Sequence, residues 1–517
     1  MNGSPASLQD LFGFAELDGA DRAECLRRTA WVLQATDDQL CELLQGLLEI
    51  GPLSADAVEE QFLEALFAKM VRRLATAFPL GQADSETNVD AQIVALYRKL
   101  GQKSNVRHYL LIALVQELSY DHLRQFSELV STDPPRLSTH AAAPFFPLFR
   151  TRDFDVTALF PVLFGGLAHV QVATPILDLA NYITRSGMVT RHPASDLSET
   201  LIELLGNVTG RLGRLESLSA VDAASWDKAR DQVNDGVALA VSLCDALGLI
   251  GDSAAVGKLF QALELGHRRV CTEAAAALVR LGEKTGKKTL ASLVTEPVAR
   301  LRVLSYAEEL QFLDEIKDEF KSTVARAEAE LACCLAESTH FGLAPSRIEA
   351  VHQQTQYWPG YDEPVECFLF RYTYEFPNGT FSNIGISGPL VHALTCSLED
   401  LPPDDIYSAY AGWQAEHEEI FELEINRLDD RQRSDVQFLE QKLGVEGFRD
   451  IESVALGFFF GEIALIATAH RQDIIGSVIA DMQEIFWYPA VKRPGPIRPE
   501  DAYTIYKGRK LLQQFNP

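Results

Sequence analysis

The chain has 517 residues, with 46 basic and 73 acidic side chains, a formal charge of −27 and 47% hydrophobic residues. That length and balance point to several globular domains and rule against a disordered chain. The acidic surplus argues against a protein that grips nucleic-acid phosphates or docks on an anionic membrane, since both need clustered Lys and Arg.

In chain order, the first 26 residues, MNGSPASLQDLFGFAELDGADRAECL, have no basic stretch leading into an apolar core and do not read as a signal peptide. Residues 37–50 place Leu40, Leu43, Leu44 and Leu47 at helical spacing behind two acids. After Gly51-Pro52, Ser54 opens a second amphipathic pattern over 54–78, and further helices are expected at 88–101, 105–117 and 119–131. Four prolines between Ser131 and Pro147 then interrupt the periodicity and suggest a boundary.

From 152 to 336 helices continue with an internal period. Sliding the chain by 31 residues brings Ala246 onto Ala277, Leu247 onto Leu278, Gly251 onto Gly282 and Leu259 onto Leu290. A slide of 33 brings Arg269, Val270 and Ala274 onto Arg302, Val303 and Ala307. Two short helices and a Gly turn per period describe a unit that buries its apolar face only by stacking on neighbours. The run SAAVGKLFQALELGHRRVCTEAAAALVRLG resembles a HEAT-like, armadillo-type repeat of the phycobilisome-lyase-like kind over residues 238–313, extended by pattern to 152–336. The resemblance implies a curved helical solenoid that presents a surface to other proteins; its subtype also implies a bilin-lyase-like accessory role as an alternative. A long helix at 306–339 is expected to close this region.

The texture then changes. Residues 365–376, VECFLFRYTYEF, alternate, with Phe368, Phe370, Tyr372, Tyr374 and Phe376 on one side, and Asn378-Gly379 follows as a hairpin signal. A helical stretch at 403–443 and strands near 452–460, 463–470 and 484–488 complete an α+β domain. The apolar run 454–469 is shorter than the roughly 20 residues of a membrane helix, carries Glu462, and reads as two buried strands. The expected fold is therefore mainly α: an N-terminal helical region (1–135), a HEAT-like solenoid (152–336), and a C-terminal α+β domain with an antiparallel sheet (340–517).

No catalytic residue, metal ligand set or cofactor motif emerges. The string from Gly282 to Thr289 has the wrong spacing for a phosphate loop and follows a helical pattern, not a strand; the repeat explains Gly282 and Gly286 as inter-helix turn positions. Ser387 lacks the flanking glycines of a nucleophile elbow. Eight cysteines without a C-x-x-C spacing fit reduced thiols in the cytoplasm. Candidate partner-binding residues are Trp358 and Tyr361 in a stiff aromatic turn, and Trp413, His417, Glu418 and Glu422 on the helix after Pro402-Pro403, where Trp413, His417 and Phe421 would share a face. The window 399–430 holds eleven acids against one Arg, while the tail carries Lys492, Arg493, Arg498, Lys507, Arg509 and Lys510; the two could pair within or between subunits. These features lead to the expectation of a cytoplasmic interaction scaffold or adaptor whose partners are other proteins with a basic surface, or a second copy bound through the C-terminal domain. Neither nucleic acid nor membrane is an expected partner. An enzyme or small-ligand site in 340–517, formed by His417 with nearby acids or aromatics, is the alternative.

Overall fold

A computed structural model of the chain describes residues 29–49, 57–77, 89–102, 104–219, 223–337, 339–490 and 495–516. The N-terminal 28 residues with Cys25, the Gly51-Pro52 break, Ser54, Lys492 and Arg493 lie outside them. Among the described residues the fold is mainly helical, with antiparallel sheet in the C-terminal part only, and the chain divides into two compact units, Met1–Leu290 and Ala291–Pro517.

In the first unit the amphipathic patterns become helices close to their expected bounds: α1 (Asp37–Glu49), α2 (Ala57–Ala77), α3 (Val89–Leu100), α4 (His108–Gln116) and α5 (Tyr120–Thr132). The stripe Leu40, Leu43, Leu44, Leu47 is fully buried. Ser119 caps α5 by accepting from the His122 N–H. The proline-rich segment forms short helical turns whose Phe145 and Leu148 enter the same core. There follow α6 (Val170–Arg185), α7 (Ser198–Ser219), α8 (Ala223–Ile250), α9 (Val256–Leu263), α10 (Arg268–Arg280) and α11 (Lys284–Leu293). Among the described residues, the one stretch long and apolar enough to cross a membrane is Gln232–Ile250 in α8; 61% of it is buried, and α8 packs against α6, α7 and α10.

Positions matched by the 31-residue slide have matched environments. Ala246 and Ala277, Leu247 and Leu278, and Leu259 and Leu290 are all fully buried, and Gly251 and Gly282 both take positive φ, +81° and +83°, just past a helix end. A Cβ on Gly248 would come within 2.9 Å of the Ala277 Cα, so small residues do set the close approach of α8 and α10. Gly286 is not a turn residue: it lies inside α11, where a Cβ would press on the Val279 nitrogen at 2.9 Å and on the Ala275 carbonyl of α10. The segment before Gly282 is helical, as the argument against a phosphate loop required.

The second unit opens with α12 (Pro297–Glu309), and here the 33-residue slide fails as a helix register. Helices α10 and α12 begin at 268 and 297, which is 29 apart (297 − 268), and end at 280 and 309. The 33-residue slide and the 29-residue helix offset differ by four residues (33 − 29), one helical turn, so both superimpose the same face and residue identity alone cannot separate them. The expected long helix at 306–339 is broken: α12 stops at Glu309, Gln311 takes φ +59°, two short turns follow, and α13 (Thr323–Ala336) starts on an Ser322 cap.

Strands β1 (Arg347–Gln356), β2 (Val365–Phe376) and β3 (Gly379–Ser387) form an antiparallel sheet in that order. The β2–β3 turn is centred on Pro377-Asn378, not Asn378-Gly379. Proline fixes a negative φ, and Gly379, paired with Phe376, takes the positive one at +149°. Phe368, Phe370, Tyr372 and Tyr374 pack against Leu331 and Leu335 of α13, while Cys367 and Leu369 face the opposite side; Phe376, at the hairpin end, is exposed. The expected helical stretch 403–443 is a helix, a strand and a helix: α14 (Pro403–Gln414), β4 (Ile420–Glu424) and α15 (Asp430–Val445). Strands β5 (Arg449–Phe459) and β6 (Glu462–Arg471) realise the apolar run as a hairpin; β7 (Ile474–Asp481), which the sequence reading missed, and β8 (Ile485–Pro489) follow. The second sheet has the order β4-β5-β6-β7-β8, and α16 (Pro499–Phe515) ends the fold. The layers run α13, first sheet, the α14–α16 pair, second sheet, α15.

Candidate functional site

Helix α14 starts with Pro403 at its first position and Asp404 and Asp405 in its first turn, where the helix dipole favours them. It ends at Gln414 because Ala415 is extended, so Trp413, His417 and Phe421 do not share a helix face. Trp413 is 49% exposed and its ring lies on His392 at 3.9 Å and 12°. His392 also meets Tyr410 edge-on and His340 at 5.7 Å; burial, and then His340, lower its pKa. His392 is held by a two-way backbone bridge to Ile386 at the edge of the first sheet.

The aromatic turn before β2 meets the same region. Trp358 is 1% exposed, and its indole N–H donates to Gln414 Oε1 at 2.6 Å. It is a core residue and no surface anchor. Tyr361 is exposed, its hydroxyl donating to the Pro389 carbonyl at 2.8 Å. Trp358, Tyr361 and Trp413 are thus tied to one corner, with His392 and His340 as members that sequence reasoning missed; no local pattern marks either histidine.

His417 and Glu418 sit in the exposed loop after α14. The His417 ring is edge-on to Phe460 at 4.9 Å, and its Nδ1 accepts from the Glu419 N–H at 3.1 Å. Among the described residues no second titratable side chain hydrogen-bonds to it, so this loop forms no acid–base pair. Glu422 is exposed on β4 but lies near Glu500 and Lys507 of α16; partial burial, then Glu500, raise its pKa, with Lys507 opposing. Phe421 beside it is 47% exposed and stacks on Phe458 at 4.8 Å. The acidic window and the basic tail pair inside the chain: Lys507 Nζ is 2.8 Å from Glu416, and Arg509 bonds Asp405, while Lys510 reaches Glu462. Glu418, Glu419 and Glu424 stay exposed.

In the first unit, a cleft of about 350 Å³ is bordered by Glu60, Tyr109, His108 and His140. His108 stacks on His140 at 4.3 Å, and burial pushes its pKa down to about 4. Among the described residues no group of three or more His, Cys, Asp or Glu is arranged to hold a metal ion, and the seven described cysteines are free thiols. No family model matches this chain, and neither a curated protein nor a solved structure does.

Proposed function

We propose that this protein is a protein–protein interaction scaffold or adaptor, with HEAT-like helical repeats from residue 152 to the end of the first unit and a second docking surface in its C-terminal α+β domain. The observation that carries the reading is the repetition of environment at the 31-residue period. Equivalent alanines and leucines are buried alike and equivalent glycines turn alike, as expected where stacked helix pairs supply each other's core. In the C-terminal domain the exposed aromatics Trp413 and Phe421 lie in a segment whose Glu418, Glu419, Glu422 and Glu424 are solvent-facing. An aromatic anchor with an acidic rim suits a protein partner with a basic surface, because buried aromatics carry affinity while rim charge sets on-rate and choice of partner. The setting is the cytoplasm, where free thiols stay reduced.

The test is affinity capture from the native organism with quantitative mass spectrometry, using the wild-type chain, Trp413→Ala, and the double variant Glu418→Lys/Glu422→Lys. A stoichiometric partner whose recovery falls about tenfold in both variants, and weakens with salt, is the expected result. Equal recovery with all three baits removes the C-terminal surface from the reading, and no partner with any bait refutes the scaffold.

A further inference from the structure

The second unit contains an order of elements that occurs twice. Helix α13, strands β1, β2 and β3 and helix α14 make the first pass; α15, β5, β6, β7 and α16 make the second, with β4 and β8 added at the sheet edges. In each pass the leading helix packs on one face of the three-stranded meander and the trailing helix on the other. The detail agrees. Leu331 and Leu335 of α13 and Leu439 and Leu443 of α15 are all fully buried against their sheets. The β2–β3 turn at 377–378 and the β6–β7 turn at 472–473 lie 95 apart (472 − 377). At that offset Phe370, Tyr372 and Tyr374 coincide with Leu465, Ala467 and Ala469, and each set faces its leading helix. Leu369 and Ile384 coincide with Ala464 and Ile479, and all four face the trailing helices.

The trailing helices carry the sequence trace. Residues 403–412, PDDIYSAYAG, and 499–508, PEDAYTIYKG, share Pro, Asp, both Tyr and Gly, and pair Asp404 with Glu500 and Ser408 with Thr504. Their contact is reciprocal. A Cβ on Gly412 would meet the Thr504 carbonyl and the Gly508 nitrogen (2.8 Å); a Cβ on Gly508 would meet the Ser408 carbonyl and the Gly412 nitrogen (2.6 Å). Each glycine therefore touches the other and the hydroxyl residue one turn before it, as a local two-fold axis demands of a self-complementary contact. Such close backbone approach tolerates no side chain at either position.

We infer that residues 323–516 are two fused copies of one α–β–β–β–α unit, and that the glycine crossing of α14 and α16 is the surface by which this unit binds a second copy of itself, here supplied within the same chain. The copies have diverged where the candidate site lies. The eight-residue loop 357–364, with Trp358 and Tyr361, replaces the two-residue turn 460–461 of the second copy. Trp413 stands where the second copy has Arg509, which pairs with Asp405 across the crossing. Its counterpart Asp501 has no arginine opposite and bonds Arg498 instead. Trp358, Tyr361 and Trp413 of the partner surface proposed above thus belong to the first copy, whereas Phe421 and Glu422 lie on β4 in the second sheet; the inference about duplication stands independently of that surface.

The test uses the full chain with a protease site placed in the exposed loop 415–419, so that cleavage leaves β4 with the second copy. After cleavage the two fragments are expected to co-elute one to one under native conditions. Gly508→Leu in the cleaved chain should weaken that association at least about tenfold, and Gly412→Leu should do so equally, whereas Gly444→Leu, on α15 with open space around it, should leave it intact. Should either leucine variant prevent folding, Gly508→Ala and Gly412→Ala, compared for the same dissociation rate, replace them with a smaller but equal increase expected. Separation of the cleaved wild-type fragments, or loss in one glycine variant only, overturns the inference.

Discussion

His192 gives the sharpest test of the helical unit's electrostatics. Its Nε2 donates to Asn181 Oδ1 at 3.0 Å, an orientation fixed because Asn181 Nδ2 donates to the Ser242 carbonyl at 3.1 Å. Its Nδ1 accepts from the Ala194 N–H at 3.1 Å. Both ring nitrogens are used by the neutral form, and a second proton would set an N–H against an N–H. Burial pushes the pKa from 6.5 down to about 4. The neutral ring's contribution to stability is complete above pH 6.5, is lost as pH falls, and levels off below about pH 4. At pH 4.5 the loss amounts to about 2.5 kcal/mol relative to neutral pH. His108 and other groups titrate in the same range, so the difference between wild type and His192→Gln isolates the effect; glutamine keeps a donor and an acceptor but does not titrate. Urea unfolding read by hydrogen exchange of α6 and α8 peptides, from pH 7.5 to 4.5, should show the gap between the two proteins closing by about 2.5 kcal/mol. A gap that stays constant with pH refutes the reasoning.

Two further outcomes follow from backbone geometry. Gly286→Ala should destabilise the first unit by about 1–3 kcal/mol, since its methyl group would meet main-chain atoms of α10 and not a yielding side chain; the midpoint of urea unfolding measures this. Replacing Gln472-Asp473 by Asn-Gly should raise the melting temperature of the C-terminal unit. Both residues sit at positive φ (51° and 64°) in a two-residue hairpin, a conformation costing ordinary residues about 1–2 kcal/mol each and suited to Asn-Gly. An unchanged midpoint would show that the turn is not strained.

The legible parts of the sequence were those where one periodicity had no competitor. The leucine stripe of α1 and the aromatic alternation of β2 each fit one element type. The segment 415–424 did not: AEHEEIFELE suits a helix by composition, yet Ile420–Glu424 also alternates, and pairing of β4 with β5 decides it. For the same reason the sequence pattern sets His417 on a helix that in fact ends at Gln414. Strand β7 was hidden because the turn that separates it from β6, Gln472-Asp473, lacks the glycine that marks a two-residue hairpin in sequence. His392 and His340 come from separate loops, so only tertiary structure sets them beside Trp413. The repeated decamer was missed since its partners lie 96 positions apart (499 − 403), well beyond the period of a solenoid repeat.

The aromatic loop of the first copy has one more connection. Asn516 accepts from the Tyr357 N–H at 2.8 Å and donates to the Tyr357 carbonyl at 2.9 Å, closing a link between residues 159 positions apart. The last turn of α16 thereby latches the residue next to buried Trp358. Fraying of that turn, or a bulky fusion placed just after it, would loosen the loop that carries Tyr361 and unseat the indole from Gln414. A tag at that end is therefore a perturbation of the first copy's aromatic corner, although it is attached to the second.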